Sequence, residues 1–172
     1  MRLNSDTANK LVKQLTKARS ALLHQESQVN TYSFLHGEEP FKPAYDFAAT
    51  QAKLGQISEA IVALKHAINL FNTTTELPGL GITVDMALVE LPILSANVGK
   101  LEDMSRVLEK TRSTNVVAKA AEYTCRNYSA EEAVAAGAAA RERLVAIQQG
   151  LNTVNMTETF EVDDSVKAAL EG

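Results

Sequence analysis

From Leu54 to Phe71 the chain places an apolar side chain at three- and four-residue steps: Leu54, Ile57, Ile61, Leu64, Ile68 and Phe71. Steps of three and four keep all six on one stripe of an α-helix, the a/d pattern of a coiled-coil seam over more than two heptads. Such a helix has to lay its stripe against another element, and the simplest partner is a second amphipathic helix. Asp46 is positioned to cap its start, while the β-branched hydroxyl run Asn72-Thr73-Thr74-Thr75 and then Pro78-Gly79 mark its end.

The partners are readable on either side. Ahead of it, Leu11, Leu15, Ala18 and Leu22 predict a first helix from Ser5-Asp6 to about Gln28. Behind it, Thr83 caps a third helix with Asp85 in its first turn, and Val84, Leu88, Leu91, Leu94, Val98, Leu101, Met104 and Leu108 form its stripe. Pro92 lies inside that run and predicts a kink or an opened hydrogen bond. Ser129-Ala130-Glu131-Glu132 spells a capping box for a fourth helix carrying Val134, Leu144, Ile147, Leu151 and Val154. Thr31–Leu35 alternates polar and apolar side chains and predicts a short strand, with Glu122–Arg126 as its expected partner. Pro40 and Pro43 make His36–Pro43 a loop. Ser165–Leu170 is a short candidate helix beyond the bundle.

The second and fourth helices echo one another. Tyr45-Asp46 precedes one and Tyr128-Ser129 the other, an offset of 83 (128 − 45). At the same offset Ile68-Asn69-x-Phe71-Asn72-x-Thr74 matches Leu151-Asn152-x-Val154-Asn155-x-Thr157. The first and third helices open alike with Asp6-x-Ala8 and Asp85-x-Ala87. The chain therefore reads as two duplicated helical hairpins, about 5–75 and about 83–157, related by an approximate two-fold axis. The expected fold is all-α: an antiparallel, coiled-coil-like four-helix bundle in a single domain over residues 1–163, with a short two-stranded element and an acidic tail at 164–172. Low aromatic content (5%), no Trp and only 4 Pro agree with helix rather than sheet.

Charge and cysteine content exclude several functions. A net charge of -4 argues against nucleic acid as the main partner, because phosphate neutralisation needs clustered Lys and Arg. Residues 1–25 nevertheless hold Arg2, Lys10, Lys13, Lys17 and Arg19 against Asp6, whereas residues 158–172 hold five carboxylates against Lys167. Those ends can pair within a chain or between subunits, or simply be solvated. Cys125 alone forms no internal disulfide and suits a reducing compartment. With no apolar run near 18 residues and no signal-like start, the expected location is the cytoplasm, with no membrane partner.

Catalytic signatures are missing from the sequence. His24, His36 and His66 have no metal-ligand spacing, so no metal or cofactor is expected. Cys125 reads as a half-buried apolar side chain, and Glu38-Glu39 as a solvated acidic turn, with a paired-acid hydrolase as a distant third function. The polar cluster Asn69, Asn72, Thr73, Thr74 and Thr75, followed by Thr83 and Asp85, is the candidate ligand site. Helix-start amides with nearby hydroxyls and amides can hold an anion or a sugar-like ligand, or the same residues can serve as helix caps.

Gly37-Glu38-Glu39-Pro40, Tyr45-Asp46, Lys65-His66-Ala67-Ile68-Asn69, Asn72-Thr73-Thr74-Thr75, Thr83-Val84-Asp85 and Thr159-Phe160-Glu161-Val162-Asp163 resemble a family of small helical bacterial and phage proteins, some labelled septicolysin-like. The resemblance covers most of residues 1–163. It implies elongated helical hairpins and no established reaction; the pore formation that the label suggests has no support in the sequence, which lacks a membrane span and an amphipathic β-hairpin. The leading expectation is a non-enzymatic binding or assembly protein acting as a homo-oligomer. The alternative is a binder sequestering a small anionic or nucleotide-like metabolite, such as a phage sponge for a host signal.

Overall fold

The computed structural model describes residues 1–171, and the side chains of residues 1–169. Along the chain come β1 (Arg2–Leu3), α1 (Ser5–Val29), α2 (Phe47–Thr74), α3 (Val84–Arg106), β2 (Lys110–Asn115), β3 (Ala120–Cys125), α4 (Ala130–Thr157), β4 (Phe160–Glu161) and α5 (Ser165–Glu171). The protein is mostly helical with two small antiparallel sheets, β1–β4 and β2–β3. Helices α2 and α4 begin and end 83 positions apart at both ends (130 − 47 and 157 − 74).

Instead of one domain with a tail, the chain divides into two compact units: Met1–Thr74 together with the chain from Val154 on, and Thr75–Thr153. In the first, α1 packs on α2 around Ala8, Leu15, Ile57, Ala60, Leu64 and Ile68. The stretch expected to be an acidic tail belongs to this core. Val162 and Val166 are buried in it, the latter at 0% exposure, and α5 lies on α2. Asp163 and Asp164 are exposed while Val162 and Val166 face in, so composition concealed an amphipathic turn.

In the second unit, α3 and α4 run antiparallel. Arg143 of α4 makes a two-pronged contact with Glu90 of α3, 2.9 and 3.0 Å, and Arg141 pairs with Glu102. Between them is the β2–β3 hairpin, in register from Lys110↔Cys125 to Asn115↔Ala120. This corrects the expected pairing of Glu122–Arg126 with Thr31–Leu35, which forms no strand. A neighbouring strand closes a far shorter loop and loses less chain entropy. The turn is held locally: Asn115 Oδ1 accepts from the N–H groups of Val117 and Ala118, and Lys119 adopts a left-handed φ of 51°.

The helix starts are capped largely as the sequence predicts. Asp46 Oδ1 accepts from Ala49 N–H at 2.9 Å, Thr83 Oγ1 from Met86 N–H and Ser129 Oγ from Glu132 N–H, both at 3.3 Å. Helix α1 begins at Ser5, and its cap is Asn4, one residue ahead of the expected Ser5-Asp6, with Asn4 Oδ1 taking the Thr7 amide at 2.9 Å.

Candidate functional site

Once α1 and α5 have covered part of α2, one of its faces is left open. Val62, Ala63, Ala67, Leu70 and Phe71, with Phe160 from β4, line a groove of about 940 Å³ in the first unit. Positions 62, 66 and 70 are separated by one helical turn each, so Val62 (68% exposed), His66 and Leu70 (56% exposed) share this face. Phe71 and Phe160 close one end, their ring centroids 4.8 Å apart. Glu59, Glu161 and Asp163 stand on the rim. Hydrogen bonding from the Ser165 side chain, then from its backbone N–H at 2.7 Å, aided by the nearby chain-start ammonium, holds the Asp163 carboxyl below its usual range. The groove is thus an apolar trough with an acidic edge. Such a lining suits an apolar or cationic occupant and opposes an anion.

The second unit repeats this face. Arg141, Glu142, Val145, Ala146 and Gln149 line an open groove on α4, and they stand 83 positions after Ser58, Glu59, Val62, Ala63 and His66. Val145 is 42% exposed there. The matched grooves lie opposite the seam that defines each helix, which is why a search for the longest apolar stripe passes over them. The spacing of Val62, His66 and Leu70 was the signal available.

The two tyrosines of the echo also do the same job. Tyr45 donates to Glu26 Oε1 at 2.5 Å, in the last turn of α1. Tyr128 donates to the Met104 carbonyl at 2.7 Å, in the last turn of α3. Each one fastens the start of a helix to the end of the preceding one. The Glu26 hydrogen bond, with burial and the Glu26 charge behind it, raises the Tyr45 pKa.

The polar cluster is divided between the units. In the first, Thr73 Oγ1 donates to the Asn69 and Leu70 carbonyls and Thr74 Oγ1 to the Leu70 carbonyl, so both hydroxyls turn back on α2. Asn69 is exposed and Asn72 half-buried. In the second, the Thr75 carbonyl accepts from Val84 N–H at 2.9 Å and Glu76 pairs with Thr83, which brings Thr75 and Thr83 together; Asp85 is exposed in the first turn of α3. Of the seven, Thr74 alone lines the large groove. Cys125 is exposed on β3, not half-buried. Glu38 and Glu39 are exposed, and among the described residues no cluster of three His, Cys, Asp or Glu could hold a metal. No helix of the described residues is long and apolar enough to cross a membrane.

No family model, curated protein or solved structure matches this chain.

Proposed function

We propose that this is a non-enzymatic helical assembly protein that acts as a homo-oligomer through the open faces of α2 and α4. The reading is carried by one observation: the same face of both helices is apolar and open at matched positions, with Val62 and Val145 exposed and Ala63 and Ala146 half-buried beside them. Apolar area kept out of water is worth about 25 cal/mol per Å², so a face repeated on two helices favours a cover. A second copy supplies that cover, because it brings both faces in equal number, as a two-fold contact requires.

Charge supports the same occupant. In the first unit Lys13 and Lys17 are exposed on α1 and Glu59, Glu161 and Asp163 on the groove rim. Within the chain the Met1 amine contacts Asp164 at 3.1 Å, linking the basic start to the acidic end. A neighbouring copy offers the exposed Lys13 and Lys17 a partner in the acidic rim. The exposed Cys125 thiol accords with a reducing compartment such as the cytoplasm.

The sequestering alternative draws on the groove volume, which lies within the range of small-molecule pockets. Its acidic rim favours an apolar or cationic guest over an anionic or nucleotide-like one.

Native mass spectrometry of gently purified protein tests the proposal. A defined oligomer is expected, and Val62→Glu with Leu70→Glu should shift it to smaller species while the helical circular dichroism is retained. A monomer at micromolar concentration would overturn the reading. A reproducible extra mass that disappears on denaturation would move it to the ligand binder.

A further inference from the structure

The connections inside the two units are built differently. Between α3 and α4 the chain forms the β2–β3 hairpin, whereas between α1 and α2 it runs from Asn30 to Asp46 with no strand. A two-stranded ribbon is marginal in water without a third strand or a packed face. Among the described residues no third strand joins this one, and every residue of β3 is exposed. The edges are unequal. β2 carries Lys110 and Arg112, charges of the kind that guard an edge against pairing. β3 carries Ala120, Ala121, Tyr123 and Cys125, with Glu122 as its single charge. β3 is therefore the receptive edge.

Thr31–Leu35 has the properties of a missing strand. The Tyr32 and Phe34 rings stack with centroids 6.3 Å apart, and residues two apart share a side when the backbone is extended. Tyr32, Phe34 and Leu35 are all exposed. Leu35 accepts one turn hydrogen bond from Glu38 N–H, but no backbone hydrogen bond joins Thr31–Phe34 to another described residue.

We infer that Thr31–Leu35 of a second copy adds as a third strand to the free edge of β3. This rests on the homo-oligomer proposed above and names a contact that would hold it. Donor and acceptor occur once each per chain, so two copies satisfy both with nothing left over and close a two-fold assembly. Tyr32 and Phe34 would then lie beside Tyr123, whose ring already has the Lys110 ammonium 4.3 Å from its centroid, and aromatic cross-strand pairs stabilise a sheet.

The one native cysteine supplies the test, because Cys125 is exposed on β3. Adjacent strands bring opposed Cα atoms to about 4.5–5.5 Å, within disulfide reach. Single cysteines are introduced in turn from Thr31→Cys to Leu35→Cys in the full chain, with each Cys125→Ser double variant as control. Mild oxidation should convert the monomer to a species of twice the mass on a denaturing non-reducing gel. The effect should alternate along the segment and vanish in the controls. A disulfide closed within one chain, at unchanged mass, overturns the inference. An intact oligomer by native mass with no cross-link at any of these positions also overturns it and leaves the proposed assembly standing. A monomer by native mass overturns both.

Discussion

Where α2 has Leu54, α4 has Gly137; where α2 has Ile57, α4 has Ala140; and Ala60 gives way to Arg143. Further along, Leu64 answers to Ile147, Ile68 to Leu151 and Phe71 to Val154, all of them buried. The register is the same over two 28-residue helices, yet the first half of α4 has exchanged bulk for smallness and charge. In the first unit, interlocking aliphatic side chains hold α1 to α2. In the second, α4 comes close to α3, near enough that a Cβ on Gly137 would meet Leu101 Cβ at 3.5 Å, and Arg143 reaches Glu90. A repeated pattern of inward positions thus fixes which face is buried, but not what holds it there.

The strongest challenge to that comparison is to truncate its shared position. Leu64→Ala and Ile147→Ala should each cost about 2–5 kcal/mol in urea unfolding, since both sites are fully buried. If the units melt separately, each variant moves a different transition; movement of a single common transition would merge them. Gly137→Leu, which writes the α2 residue into α4, should overpack the second unit by about 1–3 kcal/mol. Gly137→Ala should do the reverse, because its Cβ fits at ordinary contact distance and helix propensity improves by about 0.5–1 kcal/mol. A loss with Gly137→Ala would show that α3 and α4 approach more closely than described.

Smaller effects sharpen the contrast between the anchors. Tyr45→Phe and Tyr128→Phe each remove one hydrogen bond and should cost about 0.5–1.5 kcal/mol. Because the Tyr45 pKa is raised on folding, its stabilising contribution is full below pH 10.0 and is lost as pH rises beyond that, so Tyr45→Phe should flatten the alkaline limb of a denaturation profile. Glu90 behaves in the opposite sense. Hydrogen bonds from Arg143 lower its pKa, so its contribution is present above about pH 4.5 and fades as pH falls. Both side chains are about one-third exposed, which keeps this effect the smallest, and Glu90→Gln should remove it. An acid response that survives Glu90→Gln would place the sensitivity elsewhere, with Asp163 the next carboxylate to test, its pKa lowered chiefly by Ser165.

Much of this was legible in the residues. The Leu54–Phe71 seam, three of the four caps and the 83-residue echo are local signals, set by periodicity and by what a helix start needs. The β2 strand was not, because Lys-Thr-Arg-Ser-Thr-Asn buries nothing and shows no alternating apolar side chains. The short helix at Ser165 was readable, but its packing into the core was not, because the buried Val162 and Val166 are separated by acids that dominate the composition. The groove escaped because it occupies the weaker side of a helix whose stronger side is conspicuous. In the polar cluster, the turning of the Thr73 and Thr74 hydroxyls back onto α2 depends on rotamers that spacing does not reveal.

One further parallel concerns chain topology. Just after α2, Leu77 donates its N–H to the Ile82 carbonyl at 2.8 Å, and a tight turn carries the chain straight into α3. Just after α4, Phe160 pairs with Leu3, immediately ahead of α1, at the same place in the repeat. One junction is a continuous peptide and its counterpart is a strand pair. A circularly permuted gene that opens the chain between Pro78 and Gly81 and links α5 back to β1 should therefore encode the same molecule with its halves exchanged.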